Sequence, residues 1–217
     1  MPTTEAFWNQ VATYSTATLL VQIVFILAAG ILTFLVFTRY SDKANMYMKI
    51  LLAFGFGWNS IVFFLIFSKS PFSTFFGAPL FFLIAILFVV DIFVKKNHFR
   101  LPKEGWQRYA AIFWVLLAFF YPLAGYALGH PYPKTIFLLA PCPLTTFAVA
   151  LLAAAIPNVD RKVYSLLLVW ALIGLPKCLG ALDCREDCIL FGAGVYGLFM
   201  LIRYWKRIGQ NRDPIQA

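Results

Sequence analysis

Apolar residues run in seven long stretches along this chain, separated by short polar or basic segments. They lie at about 16–38, 46–68, 74–94, 108–129, 137–156, 163–182 and 189–208. Each is close to the roughly 20 residues a helix needs to cross the hydrocarbon of a bilayer. The connections are short, and none could fold as a separate soluble domain. The first three and last three stretches share no convincing repeat. The pattern predicts an all-α polytopic membrane protein: one transmembrane domain over 1–217, with seven transmembrane helices.

Ahead of the first stretch, Phe7, Trp8, Val11 and Tyr14 fall at helical spacing. They predict a short amphipathic helix over 1–15, lying in the membrane interface with Trp8 and Tyr14 as belt residues. Tyr40, Trp106, Tyr109, Tyr204 and Trp205 are expected to form the matching belt on the other side.

Composition strengthens the membrane reading. The chain is 62% hydrophobic and 12% charged, about half the charged fraction usual for a soluble domain. Its mean hydropathy is +0.80, and its 24 phenylalanines exceed what one soluble core would bury. The net charge of +9 is no nucleic-acid signal, because the basic residues sit in inter-helix loops and the C-terminal tail. Partners are therefore the lipid bilayer and a small solute or ion, with no nucleic acid; a homo-oligomer stays open. No Lys or Arg precedes the first apolar run, so no cleavable signal peptide is expected.

Charge also orients the chain. With the N-terminus outside, the inner side holds Arg39, Lys43, Lys49, Lys95, Lys96, Arg100, Lys103, Arg108, Arg161, Lys162, Arg203, Lys206, Arg207 and Arg212. That is 14 basic residues, against 4 outside: Lys69, Lys134, Lys177 and Arg185. The excess predicts N-terminus outside, C-terminus inside, in a bacterial inner (plasma) membrane.

One segment breaks the apolar rhythm: GHPYPKTIFLLAPCP, residues 129–143. Pro131 and Pro133 stop the fourth helix and favour an extended path. Pro143 suits the first turn of a new helix, with Cys142 near its N-cap. From Cys142 to Ile156 is 15 residues, roughly 22 Å of helix against about 30 Å of hydrocarbon. The fifth helix is therefore expected to be broken, with 134–140 descending to meet it. Broken backbone at that depth is tolerated where protein or water covers it, and such helices mark substrate sites in transporters. The free N–H groups of the helix start, with the Thr145 and Thr146 hydroxyls, suit an anion or a lowered Cys142 pKa. Shaping a loop around a packed cysteine is the alternative.

All four cysteines fall toward the outer side, with His130. Cys184 and Cys188 share a helical face at i, i+4, and Cys178 lies six residues before Cys184. A disulfide among Cys178, Cys184 and Cys188 is the first explanation in an oxidising compartment. A soft-metal site drawing on Cys142, His130, Cys178, Cys184 and Cys188 is the other, though the spacing matches no zinc module. Lys177, after Pro176, is expected to snorkel outward or to pair with Asp183, Glu186 or Asp187. Asn59 predicts an interhelical hydrogen bond. Asp91 is expected to pair with Lys95 at i, i+4.

Several activities are set aside. The seventh helix has no lysine for retinal, no histidines face each other for haem, and no Walker, GxSxG or HExxH motif is present.

YPLAGYALGHPYP followed by PCPLTTF resembles a bacterial family of multi-pass membrane proteins catalogued as a domain of unknown function. The resemblance is carried by Tyr121, Pro122, Gly125, Gly129, His130, Tyr132, Pro133, Pro141, Cys142, Pro143, Thr145 and Thr146. Weaker similarity covers Met1-Pro2, Trp58, Pro71, Phe76-Gly77, Trp170 to Gly174, and Asp187. Phe63 and Phe64 stand where the family pattern has a Tyr-His pair, and the cysteines other than Cys142 match nothing in it. The resemblance implies a site centred on His130 and Cys142, and no known activity.

The sequence therefore points to a protein that binds or transports a small solute or ion. The expected ligand-binding residues are His130, Tyr132, Cys142, Thr145, Thr146 and Lys177. A thiol redox or soft-metal protein, and a structural or partner-binding subunit, are the alternatives. Cofactors stay open, and enzymatic activity is the less favoured class.

Overall fold

The computed structural model describes residues 3–39, 41–102 and 105–208. Tyr40, Lys103, Arg212 and Met1-Pro2, invoked above, lie outside the described residues. Every regular element among those described is helical.

Helix α1 (Thr4–Ala17) begins at Thr3, whose hydroxyl accepts the Ala6 N–H at 3.2 Å, an N-cap bond. It runs through Thr18 almost without interruption into α2 (Leu19–Thr38). Ser41 caps α3 (Asp42–Ser68), which widens into a π-helix from Asn59, and α4 (Ser73–Val94) starts with a π-helical stretch. By length and composition α2, α3 and α4 are each able to cross a membrane. Their outward positions are apolar: Leu20, Leu27, Ile31 and Phe34 of α2 are all more than half exposed. By length and composition these helices suggest a membrane protein.

The next apolar stretch, expected as one span over 108–129, is two helices. Helix α5 (Trp106–Phe119) meets α6 (Tyr121–Ala127) at a bend of 60°. Pro122 at the start of α6 has no N–H to continue the ladder of α5 and crowds the preceding turn. If the bent pair is one span, four segments qualify.

Helix α7 (Pro141–Ala155) is the centre of the molecule. All 15 of its residues are buried, and it packs against α3, α5, α8 (Arg161–Ile173) and α10 (Asp187–Arg203). It begins at Pro141, with Ala140 as N-cap, two residues earlier than Pro143 suggested. Residues 131–140 ahead of it are not helical; 131–134 are exposed and 135–140 are largely buried. Asn59 holds this segment, its side-chain amide donating to the Leu139 carbonyl at 2.6 Å. Helix α8 stops at Ile173, and a single turn, α9 (Leu175–Cys178), follows, with Pro176 at the kink.

Two expectations need correction. The apolar face of α1 does not face the interface. Trp8 and Tyr14 are 4% and 1% exposed. Their polar atoms are satisfied within the protein: the Trp8 indole donates to the Leu182 carbonyl at 3.0 Å, and the Trp58 indole donates to Tyr14 Oη at 3.1 Å. An aromatic with a polar handle needs such a partner to be buried, and here it has one.

Asp91 does not pair with Lys95 either. Lys95 ends α4 in the left-handed region, φ 56°, which takes its side chain off the face that carries Asp91. Lys49 of α3 fills the place instead, its Nζ 2.9 Å from Asp91 Oδ2, with both side chains 4% exposed. Asp91 also accepts the backbone N–H groups of Lys96 and Asn97 and the Asn97 side-chain amide. A buried ion pair thus ties α3 to α4 at one end of the bundle.

Candidate functional site

The opposite end of the bundle, beside α1, gathers the residues of the proline-rich break. Gly129 takes φ +94°, a conformation that glycine adopts without strain, and the turn presents His130. His130 N–H donates back to the Gly125 carbonyl at 2.9 Å. A methyl group at Gly125 would lie 3.4 Å from Glu186 Oε1, so a small residue there lets α6 come close to the acidic segment.

That segment is the sequence between α9 and α10. Glu186 and Asp187 are 2% and 0% exposed. They stand at the start of α10, where the helix dipole favours negative charge. Asp187 is the hub. Its Oδ1 accepts the Tyr121 hydroxyl in a short hydrogen bond. Its Oδ2 lies 3.4 Å from the donating Cys142 thiol and 3.3 Å from the Lys177 ammonium. Of the three partners foreseen for Lys177, the chain uses Asp187.

Glu186 is less well served. Its Oε1 is 3.0 Å from His130 Nδ1, and its Oε2 is buried with no partner. Burial pushes its carboxyl above the usual carboxylate range and the Asp187 charge adds to this; its own backbone bond and His130 pull the other way. The second ring nitrogen of His130 is 3.9 Å from the exposed Asp183 carboxylate.

Helix α1 covers this pair. The Trp8 ring stacks on His130 with centroids 3.7 Å apart, and Phe7 lies 4.9 Å from the Lys177 ammonium, a cation–π contact. Ser15 Oγ donates to the Thr135 carbonyl at 2.8 Å and joins α1 to the non-helical segment.

Cys178 and Cys188 form a disulfide, so one of the foreseen pairings is present. It lies one residue beyond the Lys177–Asp187 ion pair on each strand of the connection, so a covalent link and an ionic link are neighbours. Cys142 and Cys184 are free and buried. Burial, then the Asp187 charge, pushes the Cys184 thiol well up from its ordinary value.

His130, Cys142 and Lys177 are thus brought together through the acidic pair. Thr145 and Thr146 are not offered to this space: their hydroxyls donate to the carbonyls of Pro141 and Cys142, four residues back. Tyr132 is 51% exposed, outside the buried cluster. Among the described residues no group of three or more His, Cys, Asp or Glu side chains is placed to hold a metal ion, and the disulfide removes Cys178 and Cys188 as ligands.

Sequence reasoning did not place Tyr121, Glu186, Asp187 and Trp8 in the site. A signal existed for the acids: two adjacent carboxylates abutting an apolar run are expensive to bury and imply partners.

The model of a family of unknown function (DUF6064) matches residues 4–212. No curated protein and no solved structure matches the chain.

Proposed function

The chain belongs to that family of unknown function, and we propose that it is a membrane protein that binds or moves a small solute or ion at the α1 end of the bundle. In this reading the chain crosses the bacterial inner membrane seven times, with the N-terminus outside. The supports are the 14-to-4 division of basic residues over seven apolar stretches and the three helices able to span. The site then faces outward and is formed by Tyr121, His130, Cys142, Lys177, Glu186 and Asp187.

The observation that carries the reading is Glu186 Oε2, a carboxylate oxygen buried without a partner beside a second buried carboxylate. Leaving such an atom unmet costs stability, of the order of 1–3 kcal/mol or more. Its retention among groups contributed by α6, α7, α9 and α10 fits a place kept for a ligand. The buried non-helical backbone of 135–140, joined to α1 through Ser15 and Thr135, fits the broken segments that line solute paths.

The test is electrical. Protein reconstituted in liposomes on a solid-supported membrane is challenged with a panel of monovalent cations and small amines. A transient current for one of them, lost in Asp187→Asn and in His130→Ala, is the expected result. Currents absent throughout, or unchanged in both variants, would remove the reading. Reporter fusions at Lys134 and Lys162 test the topology, with opposite sides expected.

A further inference from the structure

The two buried carboxylates are unevenly compensated. Asp187 has three donors, and Lys177 supplies it one full positive charge. Glu186 has His130 as its one side-chain partner among the described residues, and its Oε2 has none. The titratable groups around Glu186 come from every element packed here: Tyr121 of α6, His130, Cys142 of α7, Lys177 of α9, and Asp183, Cys184 and Asp187 of its own segment. Arg185 is exposed to solvent. Lys177 is already committed to Asp187, so only His130 can balance Glu186. A neutral imidazole leaves the enclosed pair with one uncompensated negative charge, which is expensive to bury. One additional proton cancels it, whether it rests on the ring or on the carboxyl. A metal ion would want several ligands, and the described residues provide no such group. Trp8, stacked on the ring and fastened to Leu182, closes the place.

We infer that the His130–Glu186 pair is a proton-binding site covered by α1, so that binding or transport at this face is linked to proton uptake. This rests on the reading above and names its ion.

Trp8 is the reporter, because an imidazolium against an indole quenches it more than a neutral imidazole does. The emission of the intact protein minus that of Trp8→Phe is followed over about pH 5 to 9 in sodium-free buffer, then with sodium added. A single titration in the difference signal is expected. It should move by about one pH unit or more, a tenfold change in proton affinity, in Glu186→Gln, return toward its original position in Glu186→Asp, and vanish in His130→Gln. Should Glu186→Gln fail to fold, loss of the titration in His130→Gln decides the same question. A flat profile, or one indifferent to Glu186→Gln, overturns the inference. Displacement by sodium overturns it too, since the occupant would then be a metal cation. No solute is present, so a titration without currents in the liposome experiment removes the transport reading alone, and currents without a titration remove this inference alone.

Discussion

Lys177→Met tests whether the Asp187 hub is held by charge. Asp187 is fully buried, and Lys177 is its cation at 3.3 Å. Breaking a buried ion pair by removing one partner costs about 3–5 kcal/mol. Two features lower the figure here: the Lys177 side chain is 28% exposed, and Asp187 keeps hydrogen bonds from Tyr121 and Cys142. A loss of about 2–3 kcal/mol follows, or roughly 4–12 °C in Tm for a chain of this size. Thermal unfolding in mild detergent, followed by tryptophan emission, reads it. The controls separate charge from packing. Asp187→Asn added to Lys177→Met should recover most of the loss, because no buried charge then lacks a partner. Lys134→Met, at an exposed position, should cost under about 0.5 kcal/mol. If Lys177→Met costs no more than Lys134→Met, or Asp187→Asn fails to recover stability, the hub does not depend on that charge.

Other outcomes follow from the same geometry. Lys49→Met should cost more than Lys177→Met, about 3–5 kcal/mol, because the Lys49–Asp91 pair is buried on both sides; parallel melts decide the order. Since the Glu186 carboxyl is raised in the folded chain, folding takes up protons there. Its contribution is fully present below about pH 4 and is lost as pH rises through the folded value; Glu186→Gln should flatten that part of a Tm-against-pH curve. Cys142 and Cys184 should resist alkylation in the folded protein at neutral pH and react after denaturation, while Cys178 and Cys188 react only after reduction; peptide mass mapping reads all four. Gly197→Ala should destabilise by about 1–3 kcal/mol, because a methyl group there would lie 2.6 Å from Leu168 and 2.8 Å from Val149.

The sequence reveals elements better than partners. Helix α7 was legible because proline at its start and apolar residues through it leave few alternatives. Asn59 was legible as a bridge, because an amide inside an apolar helix must find a partner, but that partner is the non-helical Leu139 rather than a second helix. The bend at Pro122 was readable in principle, but hydrophobicity is continuous across it and hides it. Asp91 was assigned to the wrong lysine because i, i+4 spacing assumes that the helix continues, and α4 ends at Lys95. Trp8 and Tyr14 were placed at a lipid interface because a helix facing membrane and a helix facing protein bear the same stripe. Glu186 and Asp187 were legible only as partners for Lys177; their links to Tyr121, His130 and Cys142 escaped because three-dimensional closure, rather than spacing, makes them.

Helix α7 has no outward face. A segment of this kind has no environment of its own to answer to: lipid does not select its residues, and neither does water. Its 15 positions are judged only by other parts of the same polypeptide. It cannot settle into a bilayer as an independent rod, because its partners α8 and α10 are made after it. Its enclosure is therefore complete only with the last helix, although α3 and α5 precede it in the chain, and the Cys142 at its mouth meets Asp187 only when α10 is in place. Completion of the polar site and completion of the molecule are one step, so a chain ending before α10 would present His130 and Cys142 without the Asp187 that joins them to the site.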